Sequence, residues 1–148
     1  MCECGNPHNE ADQVMNYVQR NLRKKRVNHE HTEQVKVVNW ARRNAQYDPE
    51  LANLFAIPNG GKRHINVAKS MKAEGVQAGV PDMFLAVARG GYHGLFIEMK
   101  HGTNTISDKQ KNCIDRLEAQ GYTVSTCYGS EQAITVIKDY LGIIDPTD

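Results

Sequence analysis

The chain has 148 residues, the length of one ordinary domain, and 40% of them are apolar, enough to bury one core. A formal net charge of +1 excludes a global electrostatic pull toward a polyanion or an acidic membrane, so such a partner has to be met by a local basic patch. No apolar run reaches the length of a membrane span, and MCECGNPHNEADQ lacks the basic-then-apolar order of a secretory leader; the expected location is the cytoplasm, with the four cysteines as reduced thiols.

In chain order, Cys2 and Cys4 form a CxC with His8 nearby. A zinc centre wants four ligands, commonly from paired knuckles, and the distant Cys113 and Cys127 have no CxxC partner. The terminus therefore reads as a ragged segment and the two distant cysteines as buried thiols. Val14, Tyr17, Val18 and Leu22 have helical spacing, which predicts a short amphipathic helix over 10–22. It runs into RKKR at 23–26, which with Arg20 is a basic cluster without acidic relief: a solvated helix end or a phosphate-contacting patch. A longer helix is expected over 30–46, capped by Asn28, with Val37, Val38, Trp40 and Ala41 on its apolar side and Tyr47-Asp48-Pro49 ending it.

LFAIPN at 54–59 reads as a short strand, Asn59-Gly60-Gly61 as a turn, and 66–74 as a short helix stopped by Gly75. Two apolar strands follow, Met83–Ala88 and Leu95–Met99, with Gly90-Gly91 in the connection of a hairpin. Ser107-Asp-Lys-Gln110 matches a capping box that starts a helix with Ile114 and Leu117 on its buried stripe, ended by Gly121. Residues 122–128 make another strand, and Ser130 starts a last helix with Ile134, Ile137 and Leu141 inward and Gly142 closing it. This order predicts an α/β domain, a mixed sheet flanked by helices, over 28–148, with residues 1–27 as a partly helical extension.

The chemistry sits at the ends of the hairpin. Side chains in a strand alternate faces, so Glu98 and Lys100 point one way while Leu95, Ile97 and Met99 point into the core. Asp82 starts the partner strand, which in a hairpin lies beside the end of the next, so Asp82, Glu98 and Lys100 are expected to converge at one edge. Two carboxylates there repel unless a cation joins them. Carboxylate oxygens, the Met99 carbonyl and water make the hard ligand set that Mg²⁺ or Mn²⁺ prefers, and a lysine alongside can hold a water and offset developing charge. An isolated E-x-K is commonly a surface ion pair. A Pro-Asp on an adjoining buried strand makes the arrangement far rarer.

Pro81-Asp82 with Glu98-Met99-Lys100 is the signature of the PD-(D/E)xK nucleases, and the chain resembles the VRR-NUC branch of that superfamily in its compact, standalone, bacteriophage-type form. The matching residues are IPNGGKR at 57–63, KAEGVQAGVPD at 72–82, GGYHGLFIEMK at 90–100, SDKQ at 107–110 and the GYTVSTCYGSEQAI segment, so the resemblance covers roughly residues 28–141. It implies a restriction-endonuclease-like core and metal-dependent hydrolysis of DNA phosphodiesters, leaving a 5′-phosphate and a 3′-hydroxyl. Asp82 and Glu98, with the Met99 carbonyl, are then metal ligands and Lys100 positions the attacking water. The family's glutamine on the following helix is Gln110, which can also serve the capping box. The family's glutamate on the first core helix corresponds to Glu30 or Glu33; spacing does not choose between them.

The NGGKRH loop lacks P-loop spacing, and its exposed backbone amides with Asn59, Lys62 and Arg63 suit a phosphate, Arg63 foremost. Tyr92 and His93 in the hairpin connection either touch DNA or finish a turn. Nothing resembles a base-reading module, so recognition by DNA shape is expected, and relatives of this type act as homodimers on branched DNA such as Holliday junctions. The stripe at Val14, Tyr17 and Leu22 is a candidate dimer surface. The rivals are a flap, nick or restriction-like nuclease on the same site, a nucleic-acid-binding module without catalysis, and a zinc-binding interaction domain built on Cys2, Cys4 and His8.

Overall fold

A computed structural model describes residues 28–59 and 65–144. The expected helix at 10–22, the RKKR cluster, Cys2, Cys4, His8, Lys62 and Arg63 lie outside the described residues. The elements are α1 (His29–Asn44), a 3₁₀ turn (Pro49–Asn53), β1 (Leu54–Ala56), α2 (Ile65–Ala73), β2 (Met83–Leu85), β3 (Leu95–Lys100), α3 (Asp108–Ala119), β4 (Thr123–Tyr128) and α4 (Ser130–Leu141). The sheet has the order β1-β2-β3-β4. β1 and β3 are antiparallel to β2, and β4 is parallel to β3, with α3 as the crossover that a parallel pair requires. The mixed sheet flanked by helices is the α/β architecture expected. Among the described residues no helix is long and apolar enough to cross a membrane.

The core forms on one sheet face. Met83, Leu85, Leu95, Ile97, Met99 and Cys127 pack there against Val37 and Ala41 of α1 and Ala133, Ile137 and Leu141 of α4. The opposite face carries an aromatic cluster: Phe84 stacks on Phe96 with ring centroids 4.3 Å apart, and Tyr122 meets both edge-on. Farther along that face stand Glu98 and Lys100, under the first turn of α3. Cys113 and Cys127 are free and buried, and burial pushes the Cys127 thiol up to about 11.

Local chemistry sets the boundaries. Asn28 accepts from the His31 N–H and starts α1, which ends at Asn44 rather than 46, where the Asn44 amide turns back onto the Trp40 carbonyl. The first hairpin strand ends at Leu85, three residues before the expected Ala88, because the Val87 N–H turns back onto the Leu85 carbonyl. The first strand likewise stops at Ala56 rather than Asn59, although the Ile57 N–H still bonds the Asp82 carbonyl. On α3 the buried residue is Cys113, with Ile114 and Leu117 only half-buried, because one rim of that helix faces solvent. Gly90 and Gly91, at φ 59° and 86°, form a two-residue hairpin tip between Arg89 and Tyr92, a turn that needs positive φ at both positions. That tip lies at the opposite end of β3 from Lys100. Tyr92 and His93 are therefore remote from the carboxylates; the His93 N–H bonds the Gly121 carbonyl and its ring packs on Tyr122.

Candidate active site

The registers bring one end of every element to the same place. Met83 pairs with Ile97, and one further step sets Asp82 opposite Glu98. Lys100 is in register with Tyr128, so β3 and β4 end together, and α1, α3 and α4 begin at this end of the sheet. Helix N-termini carry partial positive charge and unpaired N–H groups, which suits an anionic substrate.

Glu98 and Lys100 are buried, at 3% and 8% exposure, a costly placement for charges unless each is paired and hydrogen-bonded. The Lys100 Nζ lies 3.1 Å from Glu98 Oε1 and donates to Gln110 Oε1 at 3.0 Å. Gln110 Nε2 in turn donates to Glu98. The Ser107 N–H also donates to Gln110 Oε1, and Ser107 Oγ accepts from the Gln110 N–H, completing the capping box. Gln110 thus starts α3 and joins the ion pair, the two roles coexisting. An ammonium has three donors, and among the described residues two acceptors meet this one, leaving a proton for water or phosphate.

Asp82 accepts the Met99 N–H at 2.8 Å. The carbonyl of a strand residue is directed to the same side as its N–H, so Met99 presents its carbonyl on the Asp82 side of β3. Burial raises the Asp82 pKa, with the Met99 N–H opposing it and the charge of Glu30 adding to it. Burial raises Glu98 to about 7, and the nearby Asp82 charge adds to this against the pull of Lys100. Carboxylates under such strain are what a divalent cation relieves. Among the described residues no three His, Cys, Asp or Glu side chains stand close enough to cage an ion by themselves. The fit is that of an open site for a hard cation: Asp82, Glu98, the Met99 carbonyl, and water for the remaining positions.

The two glutamates of α1 diverge. Glu33 accepts from the backbone N–H and hydroxyl of Ser130, at 2.7 and 2.6 Å, and pairs with Lys36; the Lys36 bond, then those from Ser130, hold its carboxyl down to about 2. It caps α4 from a neighbouring helix. Glu30 is the one whose charge reaches Asp82 and Glu98. It accepts from Asn104 Nδ2 at 3.0 Å, a contact across 74 positions that no spacing rule signals.

Asn59 stands two residues beyond Ile57, which bonds Asp82, so Asn59 lies near the site end of the sheet. The Asn59 Oδ1 is buried and, among the described residues, has no hydrogen-bond partner. Gly79, at φ 92°, lets the loop before Asp82 press onto α3: a Cβ there would lie 2.7 Å from the Lys109 carbonyl oxygen. That contact sets Asp82 relative to Gln110.

The chain matches the VRR-NUC domain family over residues 14–131. A solved structure of a VRR_NUC domain protein is similar to it, with 32% identity and a TM-score of 0.65, covering 79% of this chain and 91% of that one. Comparison with curated proteins gives no match. With the family's motifs standing on the elements described above, the chain belongs to the VRR-NUC family, a nuclease-domain family of the PD-(D/E)xK superfamily.

Proposed function

We propose that the protein is a divalent-metal-dependent endonuclease that hydrolyses DNA phosphodiester bonds in the cytoplasm, with branched DNA such as Holliday junctions as substrate and a homodimer as the working unit. The observation that carries this reading is the grouping of the buried Glu98 and Lys100 with the half-buried Asp82 and Gln110 at the edge where three helices begin. Asp82, Glu98 and the Met99 carbonyl hold Mg²⁺ or Mn²⁺, with Glu30 as the further acidic group. When bound, the cation lowers the pKa of water and stabilises charge on the phosphate.

The remaining work falls to the chain's own groups. Lys100 Nζ, held by Glu98 and Gln110, hydrogen-bonds the attacking water and offsets charge at the phosphate oxygens. Gln110 keeps that ammonium from swinging out to solvent. Arg63, Lys62 and Asn59 hold the phosphate and its neighbours. The products carry a 5′-phosphate and a 3′-hydroxyl. Residues 1–27 extend the 28–148 nuclease domain and supply the dimer contact. Two sites related by a two-fold axis suit symmetric cutting of two strands.

A panel of labelled four-way junction, flap, nicked duplex and linear duplex, with Mg²⁺ or Mn²⁺ and with EDTA, tests the reading. Metal-dependent cutting with the junction preferred is expected. Preference for flap or nick reassigns the substrate, and binding without cutting under any metal overturns the enzyme reading.

A further inference from the structure

Residues 101–107, which join β3 to α3, are exposed throughout, yet the loop is fastened at several points. The His101 ring stacks on His29, with centroids 4.3 Å apart and planes 11° from parallel. Asn104 Nδ2 donates to Glu30 Oε1 at 3.0 Å. The Tyr128 hydroxyl donates to the Asn104 carbonyl at 3.0 Å. The Asn104 N–H closes a turn onto the His101 carbonyl at 3.1 Å, over Gly102 at φ 58°.

Each exposed hydrogen bond contributes little net stability, so stability alone does not explain such fastening on a solvent-facing connector. Two of the fastenings end on the first turn of α1, at His29 and Glu30, and the other two hold Asn104 itself. One of those two comes from Tyr128, which ends β4 in register with Lys100. Glu30 is half-buried, and a glutamate side chain left to itself still samples several rotamers, an ordering cost when a ligand must fix it. Here the amide of Asn104 engages one carboxylate oxygen of Glu30.

The geometry points to Asn104 and Tyr128 as positioning residues: Tyr128 anchors the Asn104 carbonyl, and Asn104 holds Glu30 in place as a further acidic group for the cation site of Asp82 and Glu98. This rests on the proposed metal-holding role of Asp82 and Glu98. Groups that orient ligands from behind typically contribute 10–100-fold to metal affinity, although they touch no metal.

The test is Mn²⁺ binding to the full chain without DNA, by titration calorimetry, for wild type, Asn104→Ala, Tyr128→Phe, Glu30→Ala and the Glu30→Ala/Asn104→Ala double variant, with the metal-free melting temperature of each. Asn104→Ala is expected to weaken Mn²⁺ binding about tenfold. Tyr128→Phe should weaken it less, in the same direction, and the double variant should bind no more weakly than Glu30→Ala alone. Raised Mn²⁺ should recover cleavage by Asn104→Ala. Unchanged or tighter binding in Asn104→Ala and Tyr128→Phe, with Glu30→Ala weakened, overturns the positioning role and leaves the site reading standing. Unchanged binding in Glu30→Ala overturns it as well. A wild type that binds no Mn²⁺ fails the reading of Asp82 and Glu98 themselves.

Discussion

Glu98 is held where burial and a neighbouring carboxylate both disfavour its charge, and Lys100 with Gln110 is the compensation. Such a site works against the stability of the metal-free fold. Asp82→Asn keeps an oxygen for the Met99 N–H and removes one of the two like charges. It should raise the metal-free Tm by roughly 2–4 °C, about 1 kcal/mol for a chain of this size, while cutting falls on the order of 100-fold or more. A lower Tm with activity retained contradicts this. Glu33 shows the opposite electrostatics. Its folded pKa of about 2 lies below the usual 4.5, so the folded state binds fewer protons than the unfolded chain; its contribution is complete above about pH 4.5 and is lost as pH falls toward 2. Glu33→Ala should cost about 1–2 kcal/mol at neutral pH, the loss of a cap, and the gap from wild type should shrink by about pH 3 in denaturant titrations. An unchanged gap contradicts the pairing. The sequence offered both α1 glutamates and no means to choose. The choice depends on Ser130 and Asn104, whose distance along the chain from α1 hides them from any local pattern.

At the scale of elements, the capping box and the site share one side chain, and two substitutions separate the roles. Ser107→Ala removes the cap hydroxyl and should cost about 1 kcal/mol of stability with cutting close to wild type. Gln110→Ala should cost a similar amount and also slow cutting severely, because Lys100 and Glu98 lose their common partner. Equal activity in the two variants would make Gln110 a cap alone. The helices and the hairpin were legible because periodicity and turn residues are local: Asn28, Ser107 and Gly142 each stand at the boundary they signal. The short pieces were not. The 3₁₀ turn at Pro49–Asn53 is too short to carry a period, and β2 stops at Leu85 because of a backbone turn that an apolar run does not reveal.

For the whole molecule, the convergence of Asp82, Glu98 and Lys100 was readable from strand alternation and hairpin geometry. The beginning of α3 and α4 at the same edge was not, since it follows from the parallel pairing of β3 with β4, and the start of α1 there depends on tertiary packing. The proposed dimer also belongs to this scale. Tyr17→Glu with Leu22→Glu should convert it to a monomer by light scattering; an unchanged dimer places the contact elsewhere. The most direct measurement is single-turnover cleavage of a labelled four-way junction by wild type and Lys100→Ala, with Mn²⁺ and with EDTA, and binding measured on the same DNA. The expected result is cutting by wild type that EDTA abolishes and Lys100→Ala loses, with junction binding retained. Equal cutting by Lys100→Ala, or cutting indifferent to EDTA, would contradict the assignment of this site as a metal-dependent nuclease centre.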